Sequence, residues 1–165
     1  MNEQASTITE KGLTIERIFD APVELVWQAW TRPEHLEKWH GPEGYFAPFI
    51  KNDLRVGGTF LFCMRSADSQ DIWSTGTYTE VIEHKRIVAT DCFADADGNI
   101  VAATHYGMPD TIPLEMETTV TFEDVGGRTK LTLIHAGLPV GEMTDGASIG
   151  WNQSLDKLAA HLATI

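Results

Sequence analysis

His135 is the residue of this sequence best suited to acid–base chemistry. Alternation of apolar and polar residues places it on the same strand face as Leu131 and Leu133, where burial would make the pKa of its imidazole sensitive to a bound molecule. Tyr78 and Asp91 are candidates to converge with it, although a register shift of one residue would reverse their facing. A core histidine with satisfied hydrogen bonds explains the same pattern, so both interpretations stay open.

Aromatic and other apolar side chains form the second group with potential for binding. The chain has five tryptophans, and period-two spacing places Phe60, Phe62 and Met64 on one strand face. Ordinary core packing also accounts for such residues. The candidate ligand-binding residues are Trp27, Trp30, Trp39, Phe60, Phe62, Met64, Trp73, Tyr78, Met116, Thr118, His135, Trp151 and Leu155.

Motifs for other kinds of chemistry are missing from the sequence. It contains no Gly-x-Ser-x-Gly, phosphate-binding loop, dinucleotide fingerprint or His-Glu-x-x-His. His35 and His40 are five residues apart and miss the spacing of one helical face, while Cys63 and Cys92 lack metal-ligand spacing and are expected to be reduced. We therefore predict neither a metal nor a cofactor.

Charge and hydropathy limit the partners. The 165 residues include 12 Lys and Arg against 24 Asp and Glu, a net charge of −12 that opposes binding to nucleic acid or to anionic membranes. Residues 1–11 lack a signal-peptide core, and no stretch approaches a membrane span of about 20 apolar residues. The expected location is the cytoplasm, and the expected organisation is one domain over 1–165 with an ordered core of about 13–163.

Helical spacing occurs in two places. After a polar start that is expected to fray, a strand leads to Asp20 and Pro22, which suit the first turn of a short helix ending near Thr31. A second short helix follows Pro33. Near the C-terminus, apolar residues spaced by four and three residues predict one long amphipathic helix over 144–162, with Trp151 and Leu155 facing a sheet.

The remainder of the pattern is typical of antiparallel strands. Seven segments have strand length and β-branched or aromatic enrichment: 13–19, 45–50, 58–65, 73–82, 86–93, 115–123 and 129–136. Most connections are short turns, which favours a meander. The connection over 94–113 is long and contains His105, and loops of this length are usually functional or mobile.

Several motifs carry a family resemblance. They are RIFDAP at 17–22 with the Trp-rich segment that follows, RVGG at 55–58, GTYTEV at 76–81, TKLTL at 129–133 and GWNQSL at 150–155. In this order they resemble the family named for homologues of the activator of heat-shock-protein (Hsp) ATPase, within the START-like (SRPBCC) superfamily. The resemblance covers about 15–165. It implies an α+β helix-grip fold, in which a curved seven-stranded antiparallel sheet wraps around the long C-terminal helix after two short helices.

The resemblance implies a cavity between the sheet and the terminal helix, and the function we expect is binding of a small apolar or aromatic molecule there. A sheet curved around one helix often cannot fill its concave side with side chains, which favours a cavity there. Two alternatives remain. One is a cofactor-independent cyclase, hydrolase or lyase that uses His135 with Tyr78 or Asp91. The other is an interaction module that docks a partner, a chaperone or a second copy through apolar surface on the two short helices.

Overall fold

The chain forms one antiparallel sheet and three α-helices. The computed structural model describes residues 4–9, 12–68, 70–139 and 141–165. In chain order the elements are β1 (Gln4–Thr9), β2 (Gly12–Phe19), α1 (Val23–Thr31), α2 (Pro33–Trp39), β3 (Tyr45–Asn52), β4 (Thr59–Ser66), β5 (Asp71–Ile82), β6 (Arg86–Ala94), a 3₁₀ turn (Ala103–Tyr106), β7 (Met116–Val125), β8 (Arg128–Ala136) and α3 (Glu142–Leu162). The predicted α+β helix-grip architecture, with a curved sheet and a long C-terminal helix, is confirmed.

The sheet has eight strands rather than the seven expected, in the order β1-β2-β8-β7-β6-β5-β4-β3. The additional strand is β1, which pairs antiparallel with β2 from Gln4 opposite Arg17 to Thr9 opposite Gly12. The expectation of a frayed start was wrong for 4–9, whereas residues 1–3, 10 and 11 lie outside the described residues. An edge strand is held by backbone hydrogen bonds to one neighbour, so a polar segment can form it without a strong apolar pattern.

The two short helices form as predicted and are locked together. Arg32 has the extended backbone that a residue before proline favours, and it separates α1 from α2. The indole Nε1 of Trp39 donates a hydrogen bond of 2.8 Å to the carbonyl oxygen of Ala29, and Trp39 is 1% exposed. This buried bond fixes the angle of α2 against α1.

Helix α3 lies against the concave face of the sheet. It begins at Glu142, two residues before the predicted start, and ends at Leu162. The buried guanidinium of Arg17 on β2 donates to Asp156 at 2.7 Å and to Asn152 at 3.2 Å. At the other side of the helix, the Lys157 ammonium donates to the carbonyl oxygens of Gly41 and Tyr45. These polar contacts hold the helix from two sides of the sheet.

The core follows the apolar faces of these elements. Fully buried side chains from α1, β2, β8 and α3 meet in one cluster that includes Val26, Ile15, Leu133 and Leu158. A smaller cluster forms where the long connection after β6 reaches Met116. Within the described ranges, no helix is both long and apolar enough to cross a membrane.

Candidate functional site

A cavity of about 440 Å³ lies between α3 and the concave face of the sheet. The helices α1 and α2 contribute to one side of it, and the long connection after β6 contributes Met108 and Ile112. The structure brings most of the predicted lining residues to this cavity. They are Trp30, Trp39, Phe60, Phe62, Met64, Tyr78, Met116, Thr118, His135 and Trp151.

Trp27 and Leu155 are predicted lining residues that the structure places in the packed core instead. Trp27 lies edge-on against Phe122 with ring centroids 5.2 Å apart, and it is 6% exposed. Leu155 is completely buried, while Trp151 one turn earlier and the neighbouring Ser154 line the cavity. For these two positions, core packing was the correct interpretation of the apolar spacing.

Trp73 is the third predicted residue outside the lining. Its neighbours Ile72 and Ser74 line the cavity, and successive side chains of a strand point to opposite faces. The Trp73 ring instead packs against Phe49, with centroids 5.5 Å apart. The prediction therefore had the wrong facing by one residue at this end of β5.

Further lining residues were not predicted. They come from the C-terminal end of α2, from β5, from the loop after β6, and from the segment between β8 and α3 together with the first turn of α3. They include His40, Ser74, Met108, Ile112, Leu138 and Met143. Met108 and Ile112 could have been identified from the sequence because they are apolar, and apolar side chains are uncommon in a loop that is fully exposed to solvent. His105 of the same connection is exposed and lies outside the lining.

His135 and Asp91 are two polar residues of the wall that lie next to each other. Thr118 on β7 is paired with His135 on β8, and Asp91 on β6 is paired with Met116 on β7, so the sheet register brings the two groups to neighbouring positions. His135 Nε2 lies 3.5 Å from Asp91 Oδ2. Trp151 reaches across from α3, and its Nε1–H donates to His135 Nδ1 at 3.2 Å.

Burial controls the charge of this pair. It lowers the pKa of His135, and the nearby Asp91 opposes that effect. Burial likewise raises the pKa of Asp91, and His135 opposes that effect. The indole of Trp151 is a donor only, so Nδ1 must accept and the neutral imidazole carries its proton on Nε2. The wall therefore presents an N–H donor beside a carboxyl group.

Tyr78 serves a different part of the wall. Its hydroxyl donates to Oδ1 of Asn52, and Nδ2 of Asn52 donates to the carbonyl oxygen of Thr31 at 2.9 Å. Burial raises the pKa of Tyr78 above its ordinary value. The structure thus pairs His135 with Asp91, while the Tyr78 hydroxyl is engaged by Asn52.

His40 is a further lining residue with altered titration. Burial and the neighbouring charge of Lys157 lower its pKa to about 4. Its ring packs edge-on against Phe62, with centroids 5.0 Å apart. At neutral pH His40 is therefore an uncharged part of the wall.

The cysteines and acids suggest no metal chemistry. Cys63 and Cys92 are buried free thiols, and burial raises the pKa of Cys63 to about 11. In the part of the chain that the structure describes, no three His, Cys, Asp or Glu side chains are grouped to hold a metal ion. The cavity offers apolar contact together with several polar groups, among which His135 and Asp91 lie side by side.

Comparisons with known proteins agree with this architecture. A family model described as Activator of Hsp90 ATPase homolog 1-like protein matches residues 20–163. The solved structure of protein CV1439 from Chromobacterium violaceum is 31% identical, with a TM-score of 0.75 over 90% of this chain and 94% of its own. The AHSA1 protein SPO3351 from Silicibacter pomeroyi is 27% identical, with a TM-score of 0.74 over 92% and 96%. A protein from Arthrobacter aurescens, at 24% identity, shares the fold with a TM-score of 0.79 over 98% and 91%. A search of curated proteins finds no significant match.

Proposed function

The chain belongs to the family described as Activator of Hsp90 ATPase homolog 1-like protein, and we propose that it binds a small, mostly apolar molecule between α3 and the sheet. The observation that carries this proposal is the cavity of about 440 Å³. Protein interiors are normally close-packed, whereas pockets for small ligands usually measure roughly 300–1,000 Å³. A void of this size is therefore expected to serve a ligand.

The wall favours an aromatic or flat molecule. Trp30 and Trp151 are parallel within 10° at a centroid separation of 6.4 Å, and Phe60 and Phe62 lie 4.8 Å apart. Aromatic faces give large apolar contact at little cost in side-chain entropy. Four methionines, which adapt readily to irregular shapes, complete the surface: Met64, Met108, Met116 and Met143.

A second candidate is cofactor-independent acid–base catalysis in the same cavity. The observation that favours it is the 3.5 Å separation of His135 Nε2 and Asp91 Oδ2 within an apolar enclosure. Removal of a general acid or base lowers turnover by about 10²–10⁴. Loss of turnover in His135→Gln, with affinity nearly unchanged, would favour the enzyme over a carrier or sensor.

The interaction-module alternative finds less support in the fold. It depended on apolar surface of the two short helices, but Val26, Trp27, Leu36 and Trp39 of these helices are buried in the core. Concentration-dependent mass measured by sedimentation would still favour assembly with a second copy.

A fluorescence titration tests the binding proposal. We expect 2-methylnaphthalene to bind saturably with one-to-one stoichiometry and to quench tryptophan emission, because Trp30, Trp39 and Trp151 line the cavity. A preformed apolar pocket gains affinity without ordering the chain. Quenching that does not saturate as 2-methylnaphthalene is added, or tryptophan emission that does not change, would contradict the proposal.

A further inference from the structure

The imidazole of His135, a residue of the cavity wall, has a buried donor that is not used. His135 is 7% exposed, and among the described residues its Nε2 has no hydrogen-bond partner. The 3.5 Å to Asp91 Oδ2 exceeds the usual 2.7–3.2 Å of an N–H···O bond. A buried donor without a hydrogen-bond partner reduces the free energy of unfolding by about 1–3 kcal/mol. Such a group is therefore rare in a folded protein, and a role in binding would explain it.

Trp151 determines which atom carries this donor. Trp151 Nε1–H donates to the lone pair of His135 Nδ1. The tautomer with the proton on Nδ1 would have no lone pair there and would lose this hydrogen bond. The proton of the neutral ring is therefore held on Nε2, next to the carboxyl oxygen of Asp91. Donor and acceptor lie close enough for one ligand atom to touch both.

We propose that His135 and Asp91 recognise a neutral hydroxyl group, phenolic or alcoholic, at one end of an otherwise apolar ligand. This inference rests on the proposed binding function and specifies its ligand class. The hydroxyl oxygen accepts from His135 Nε2–H and its proton is donated to Asp91 Oδ2, so both protein groups are satisfied by one atom. Trp151 is the positioning residue that keeps the proton on Nε2.

Charged ligand ends fit this pair poorly. A carboxylate has only acceptors, so it would gain one hydrogen bond from Nε2–H and none from Asp91 Oδ2, which this arrangement uses as an acceptor. An ammonium would satisfy Asp91, but it carries only donors and would leave Nε2–H unpaired. A methyl group would make no hydrogen bond with His135 Nε2–H or with Asp91 Oδ2.

Matched naphthalene derivatives test the inference by calorimetric titration. We expect 2-naphthol to bind at least tenfold more tightly than 2-methylnaphthalene, equivalent to about 1.4 kcal/mol, and 2-naphthoate and 2-naphthylmethylammonium to bind more weakly than 2-naphthol. Without polar recognition the order of the first two reverses, because the methyl compound is more hydrophobic. Equal or reversed affinities would overturn the inference and leave the binding function intact, whereas failure of both neutral compounds to bind would count against the binding function itself.

Variants assign the preference to these residues. Asp91→Leu should lose the preference for 2-naphthol over 2-methylnaphthalene, measured as the ratio of the two dissociation constants in the same variant. The control Tyr78→Phe removes a hydroxyl from the same wall that Asn52 already engages, and it should keep the preference. If Asp91→Leu retains the preference, the assignment to Asp91 is wrong.

A spectroscopic measurement tests the role of Trp151 independently of affinity. The ¹⁵N shifts of the His135 ring should show Nε2 protonated and Nδ1 unprotonated in the parent. In Trp151→Phe, which keeps an aromatic ring but lacks the donor, both tautomers should appear and the hydroxyl preference should fall severalfold. Unchanged ¹⁵N shifts in that variant would show that Trp151 does not set the tautomer.

Discussion

Replacement of Thr118 by phenylalanine distinguishes a cavity from a packed core. Thr118 lies on β7 opposite His135 on β8 and Ala89 on β6, and it lines the cavity. In a close-packed core, enlarging a side chain costs about 1–3 kcal/mol of unfolding free energy or more. Here the added ring enters a space of about 440 Å³, so we expect the free energy of unfolding to change by less than about 1 kcal/mol.

The same ring should occupy the space needed by a ligand. We expect Thr118→Phe to weaken binding of 2-methylnaphthalene at least tenfold, or about 1.4 kcal/mol. Urea unfolding at constant m-value measures the stability, and the tryptophan titration measures the affinity. Thr121→Phe, three residues along β7, is the matched control: Thr121 donates to the Thr132 carbonyl oxygen and lies outside the lining, so ligand affinity should stay unchanged. If Thr118→Phe lowers the free energy of unfolding by more than about 3 kcal/mol, and the parent protein binds no ligand, the region is a packed core and not a binding cavity.

Three further substitutions test the scaffold and its pH response. Gly76→Ala should destabilise the fold by more than about 3 kcal/mol in urea unfolding, because the new Cβ would lie 1.9 Å from the Thr90 carbonyl oxygen of the adjacent strand; a cost below 1 kcal/mol would contradict this contact. Leu155→Ala should cost about 2–5 kcal/mol, since this side chain is completely buried, and a smaller effect would show that α3 is not docked by that face. Because the pKa of His40 falls from 6.5 to about 4 on folding, the unfolded chain binds more protons between these values, so stability should decline as pH falls from 6.5 to 4 by at most about 3 kcal/mol. His40→Gln should remove the part of the stability loss between pH 6.5 and 4 that His40 causes, whereas the control His105→Gln, at an exposed position, should not. Identical pH profiles of the two variants would count against the burial of His40.

Local patterns were sufficient for most elements. Turn residues and period-two alternation located the strands from β2 to β8, and the spacing of Trp151 and Leu155 located α3. They failed for β1, whose formation depends on backbone pairing with β2 rather than on its own residues. Edge pairing of this kind leaves a weak trace in the sequence.

The site could be predicted only in part because facing and proximity depend on long-range packing. Trp73 and Tyr78 were both expected to line the cavity, although an odd separation of five residues puts them on opposite faces of a regular strand, and only Tyr78 lines it. The alternation correctly placed His135 on the inner face. Its contacts with Asp91 and Trp151 join three distant segments, and no local spacing reports such a meeting.

Methionine methyl resonances give the most direct test of ligand binding in the cavity. Met64, Met108, Met116 and Met143 surround the cavity, whereas Ile82 and Ile165 are exposed on the outside. During titration of ¹³C-methyl-labelled protein with 2-naphthol, the four methionine signals should shift and saturate at one equivalent while the two isoleucine signals stay constant. Methionine signals that do not move, or shifts confined to the exposed isoleucines, would contradict the central claim that this protein encloses a small apolar ligand.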